Sequence, residues 1–122
     1  MFSIELDRES AIAVLQLQGE LREKDFESIA EVIDPYILEK GKLNGLIINT
    51  KDFPGWESFG AMVEHFKFVK DHEKKLTHVA LVTDSAIGDL VEIFAKYFVS
   101  AKVKHFDYDE FTKAEAWIEE TK

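Results

Sequence analysis

The sequence predicts an α/β fold: a single domain with about five strands, mostly parallel with an antiparallel N-terminal edge strand, and four helices. Three observations predict it. Short apolar runs at 46–50, 78–83 and 102–106 alternate with stretches of helical period, and strands alternating with helices imply parallel neighbours joined by right-handed crossovers. Ahead of them stand two strand-like runs separated by a short polar turn, the pattern of a hairpin. Finally, 122 residues with 46% hydrophobic content fill one core and divide poorly into two.

Phe2, Ile4 and Leu6 alternate with Ser3, Glu5 and Asp7, the period of a half-buried strand at a sheet edge. Arg8-Glu9-Ser10 turns the chain into residues 11–18, AIAVLQLQ, a more uniformly apolar partner that Gly19 ends. From Asp25, Phe26, Ile29, Ala30, Ile33 and Ile37 recur at helical spacing. Pro35 lies within this helix one, so the helix should kink there, or end near Ile33 and restart with Asp34 as cap; Gly41 stops it.

LIINT at 46–50, bounded by Asn44-Gly45, reads as a buried parallel strand, and HVALVT at 78–83 and KVKHF at 102–106 follow the same design. Helix two is expected over 58–74 and helix three over 85–99. Helix four is expected over 111–120, with Thr112 and Glu115 at capping-box spacing and Ala114, Trp117 and Ile118 inward.

This order and several local signatures resemble the SpoIIAA-like family, relatives of the anti-sigma-factor antagonist or STAS fold. The residues that carry the resemblance are Gly19-Glu20-Leu21 with Asp25, then Asp52-Phe53-Pro54-Gly55-Trp56, then Lys67-Phe68 and His72. Val79-Ala80-Leu81-Val82 with Asp84, His105-Phe106, and Ala114 through Trp117-Ile118 complete them. The resemblance implies a fold of about five strands with helices and no established enzymatic chemistry. The wider fold group includes lipid-carrying domains, so an apolar ligand follows by analogy. Antagonists carry Asp-Ser-Ser/Thr-Gly after the third strand; the matching tetrapeptide here is Glu57-Ser58-Phe59-Gly60, with Phe59 at the phosphoacceptor position.

Composition bounds the function. A net charge of −9 and a pI near 4.9 repel phosphate backbones, so no nucleic-acid partner is expected. The absence of cysteine excludes disulfides, zinc-thiolate sites and thiol nucleophiles. His65 and His72 stand seven apart, not the four that helical zinc pairs use, so no metal is expected, and no cofactor fingerprint occurs. No signal peptide or spanning segment is apparent, which places the protein in the cytoplasm with at most peripheral membrane association.

The candidate site residues fall in two segments. On helix two Phe59, Met62, Val63, Phe66 and Val69 form an apolar arc, while Phe68 falls on the opposite side. Lys67, Lys70, Lys74 and Lys75 give residues 65–75 a net charge of +2 within an acidic chain. Two readings stand: a solvated lysine border to an ordinary core face, or a basic aromatic helix that touches a membrane surface. Helix three has only Asp89, Glu92 and Lys96 as its polar stripe, so it must be covered on more than one side. Helix two, a second subunit, or an apolar ligand held between helices two and three would cover it.

The expected ligand contacts are Trp56, Met62, Phe66, Phe68, Ile93 and Tyr97. Ser58 at the head of helix two is a cap or a phosphorylated regulatory residue. Asp84 and Ser85, just after a parallel strand, suit a ligand contact or the cap of helix three. No cluster of polar groups points to catalysis, so an enzyme is not expected. The leading expectation is a non-catalytic binding module for an apolar or lipid-like small molecule. The alternative is a protein-interaction regulator of the antagonist type, engaging a protein partner through the loop and start of helix two.

Overall fold

The computed structural model describes residues 2–17, 23–51, 76–84 and 102–121. Their elements are β1 (Phe2–Asp7), β2 (Ile12–Leu17), α1 (Glu23–Lys40), β3 (Leu43–Asn49), β4 (Leu76–Val82), β5 (Lys102–Phe106), a 3-10 turn (Tyr108–Glu110) and α2 (Phe111–Thr121), the expected fourth helix. The sheet order is β1-β2-β3-β4-β5. β1 pairs antiparallel with β2, and every other pairing is parallel. Two α-helices occur among the described residues rather than four, because the expected helices two and three lie outside them.

The two strand faces separate by alternation, since successive side chains point to opposite sides. Ala13, Leu15, Leu46, Ile48, Val79 and Leu81 meet Ile29, Ile33 and Ile37 of α1, with Ile4 and Leu6 of β1 packed at the border. Ile12, Ile47, Ala80, Val82 and Phe106 meet Ala114 and Ile118 of α2 on the other face, where Trp117 also packs.

The β1–β2 turn is held by local bonds. The Ala11 N–H donates to the Asp7 carbonyl at 2.9 Å, and the Asp7 carboxylate accepts from the Glu9 and Ser10 N–H groups at 3.0 and 3.4 Å. Ala11 takes a left-handed φ of 59°, and its carbonyl accepts from the Asn44 N–H at 2.8 Å, which ties the hairpin to β3. Gly41 ends α1 with a φ of 89° and an N–H bond to the Ile37 carbonyl at 2.7 Å, the left-handed helix stop that glycine provides.

α1 runs through Pro35 as one helix rather than ending near Ile33 and restarting, and two further local expectations are corrected. The proline ring is exposed, and buried Ile33, Tyr36 and Ile37 on either side of it hold the helix against the sheet despite the missing N–H. β3 starts at Leu43, not after Asn44-Gly45. Gly45 is not a turn residue: a Cβ there would come within 2.6 Å of the Ile118 side chain, so the glycine lets α2 sit close on the strand. The capping pattern precedes the predicted one. Glu110 accepts the Asp107 N–H on its carboxylate and donates its own N–H to the Asp107 carbonyl, both at 2.9 Å. Thr112 and Glu115 therefore stand inside the helix.

Candidate functional site

Open parallel sheets present ligand sites at the carboxyl ends of their strands. There the chain leaves β3 through Thr50 and Lys51, and β4 through Thr83 and Asp84. The two exits are bonded together. The Asp84 N–H donates to the Lys51 carbonyl at 3.0 Å, and the Thr83 hydroxyl donates to the same carbonyl at 3.1 Å. The Thr50 N–H donates to the Val82 carbonyl at 3.0 Å, and the Thr83 N–H to the Phe106 carbonyl at 3.0 Å. His105 adds a brace: its Nε2 lies 2.8 Å from the Thr83 carbonyl, which only accepts, so Nε2 carries the proton.

Asp84 accepts the Tyr108 N–H at 2.9 Å and fastens the turn after β5 to the end of β4; the helix it was expected to cap lies outside the described residues. These bonds hold the strand ends together. Lys51 and Asp84 are exposed. The segments that begin after them, 52–75 and 85–101, carry Trp56, Ser58, Met62, Phe66, Lys67, Phe68, Lys70, Lys74 and Lys75 on one and Ser85, Ile93 and Tyr97 on the other. All of these lie outside the described residues.

A second feature was not foreseen. α2 packs on β3, β4 and β5, and beside it the same face of β1 and β2 stays open as a groove of about 330 Å³. Its floor holds Ile12, Val14 and Phe111, and Glu5, Asp7 and Glu115 rim it. Ile12 is buried, while Val14, Phe111 and Glu115 are half-buried. Gln16 lines the upper end, and its register neighbour Asn49 has a buried side-chain oxygen without a hydrogen-bond partner among the described residues.

The electrostatics of the groove follow from its geometry. Burial raises the Glu115 carboxyl above the usual range, and the negative charges of Glu119 and Asp7 add to the effect. Asp7 shifts the other way, because the N–H groups of Glu9 and Ser10 stabilise its anion. The groove therefore gathers like charge, and no cationic side chain lines it among the described residues. Among the described residues no group of three His, Asp or Glu side chains is arranged to hold a metal ion.

His78 is the buried titratable group on the α2 face. Its Nδ1 lies 2.8 Å from the Thr77 hydroxyl and 3.2 Å from the Asn44 carbonyl, and its ring meets Trp117 edge-on at 5.0 Å between centroids. Burial lowers its pKa, the Asn44 carbonyl opposing. It sits at the start of β4, away from the carboxyl ends, and joins β3, β4 and α2 structurally. The sequence signal for it was a histidine opening an otherwise apolar strand.

Comparison with known proteins bears on the fold. The SpoIIAA-like family matches residues 12–119. The crystal structure of an uncharacterized protein from the DUF3478 family with a SpoIIAA-like fold, from Shewanella loihica PV-4, superposes with a TM-score of 0.64 at 17% sequence identity. That alignment covers 97% of this chain and 92% of the other. No curated protein matches. Among the described residues no helix is long and apolar enough to cross a membrane.

Proposed function

We propose, from the premise that this chain belongs to the SpoIIAA-like family, that it is a non-catalytic binding module for an apolar or lipid-like small molecule. Trp56, Met62, Phe66, Phe68, Ile93 and Tyr97 would contact the ligand, and Lys67, Lys70, Lys74 and Lys75 would meet an anionic membrane surface. The observation that carries the reading is the paired exit at the carboxyl ends of β3 and β4. The Asp84 N–H is bonded to the Lys51 carbonyl, so the two segments holding these residues start from adjoining points. The surplus of apolar residues in 85–99 supplies more hydrophobic surface than one sheet face covers.

Native mass spectrometry of protein purified from cells tests the ligand, with oleate titration followed by tryptophan fluorescence as a defined probe. A co-purifying apolar mass, and a titration weakened by Phe66→Asp and Tyr97→Asp in protein that retains its circular dichroism, are expected. Flotation with phosphatidylcholine vesicles, with and without phosphatidylserine, tests the surface. Salt-sensitive association only with the anionic vesicles is expected, lost when the four lysines become glutamine. Ligand-free protein that ignores oleate and both vesicles overturns the reading.

A further inference from the structure

We propose that the acidic groove between β1, β2 and α2 is a docking site for a basic amphipathic helix of a partner protein. It lies on the sheet face opposite α1 and is separate from the apolar-ligand reading. Among the described residues α2 is the helix on this face, and it packs on β3, β4 and β5. An uncovered sheet face is ordinarily polar throughout, but Ile12 and Val14 continue the α2-side core out to β2, and Phe111 leans over them. An apolar strip thus runs along the groove between two charged walls.

The walls specify what completes it. Glu5 and Asp7 stand on the β1 side and Glu115 on the helix side. No cationic side chain lines the groove among the described residues. A bound segment would therefore present apolar side chains downward and a basic residue on each flank, which is the cross-section of an amphipathic helix with lysine or arginine bordering its apolar stripe. At the upper end Gln16 supplies an exposed amide to the groove. β1 and β2 have six residues each. That is a track of roughly 20 Å, the length of a helix of about 13 residues.

The alternatives fit less well. A metal ion requires converging ligands, and the carboxylates here are spread over both walls. An anionic membrane is repelled by the same carboxylates. A second copy would bring another chain of net charge −9, and Glu119 and Glu120 lie exposed on α2, the element nearest the groove. Charge complementarity selects a cationic partner.

Fluorescence anisotropy with a labelled synthetic helix of leucine, alanine and lysine tests the proposal, its glutamate-for-lysine counterpart serving as control. The full chain should bind the basic helix with an affinity that falls as salt rises, and should ignore the acidic one. The combined variant Glu5→Gln, Asp7→Asn, Glu115→Gln should weaken binding by about tenfold or more, since exposed ion pairs each contribute up to about 1 kcal/mol. Val14→Ala should weaken it by about fivefold through lost apolar contact.

The combined variant Glu27→Gln, Glu31→Gln, Asp34→Asn removes the same charge from the exposed side of α1, so it should change binding by less than about twofold if the groove is the site. An equal loss in both combined variants would mean attraction by net charge alone and would overturn the proposal. So would an absence of binding up to millimolar protein. A concentration-dependent dimer in sedimentation that the groove variant dissolves would overturn it in favour of a second copy.

Discussion

On the α1 face the sheet is apolar across its width, from Ile4 and Leu6 on β1 to Val103 on β5, whereas on the α2 face the apolar surface stops at β2 and β1 contributes Glu5 and Asp7. One strand thus belongs to a core on one side and to a charged rim on the other. Among the described residues α1 lies on the first face, and α2 packs on β3, β4 and β5 of the second, where Ile12 and Val14 of β2 join its core. The alternation along β1 places apolar residues on the α1 side and carboxylates on the groove side.

The largest difference between the two faces is expected at neighbouring residues of β2. Leu15 is 3% exposed on the α1 face, and Leu15→Ala should cost about 2–5 kcal/mol in urea unfolding through lost burial and a cavity. Val14 next to it points to the open side and is only half-buried, so Val14→Ala should cost under about 1.5 kcal/mol. Equal losses would mean that the α2 face is as complete over β2 as the α1 face.

A smaller effect is expected where α2 rests on β3. Gly45→Ala places a Cβ within 2.6 Å of Cδ1 and 2.8 Å of Cγ2 of Ile118. The side chain or the helix must shift, at a cost of about 1–3 kcal/mol. Ile118→Val in the same chain should return part of that loss, so the double variant should be more stable than additivity from the two single variants predicts. Strict additivity would show that α2 does not rest on Gly45.

Much of this architecture is legible in the sequence, and the failures share a cause. The hairpin, the parallel strands and the inward side of helix four follow from period alone, and Ala114 and Ile118 are indeed fully buried. Gly45 reads as a turn because a glycine needed for a close approach looks the same as one needed for a bend. Glu110 caps the chain ahead of α2 while Thr112 and Glu115 mimic the cap pattern, since spacing does not tell which of two overlapping candidates the backbone uses. The groove was hidden for a larger reason: Glu5 and Asp7 come from the start of the chain and Glu115 from its end, and only the landing of α2 on one side of the sheet brings them together. One signal was present. Glu115 falls in the inward 111, 114, 115, 118 stripe of its helix, where an apolar residue is the norm.

Glu110 and Glu115, one turn and a half apart, respond to acid in opposite directions, and this is the subtlest expression of the two environments. The Asp107 N–H and the Lys113 ammonium, 2.9 Å away, hold the Glu110 carboxyl below the usual range. Its contribution to stability is present above the ordinary glutamate pKa of about 4.3 and is lost as pH falls through the lower folded value. Glu115 in the groove has a raised pKa. The folded state therefore binds its proton more readily than the unfolded chain, and the penalty it imposes at neutral pH is relieved as pH falls through the raised value. Glu110→Gln should lower stability at neutral pH and flatten the loss on acidification. Glu115→Gln should raise stability slightly at neutral pH, and this gain should vanish below about pH 4, where the native side chain is protonated too. Urea midpoints between neutrality and mild acid check both signs. A Glu115→Gln variant less stable than the parent at neutral pH would show that the groove carboxylate is already paired within the fold.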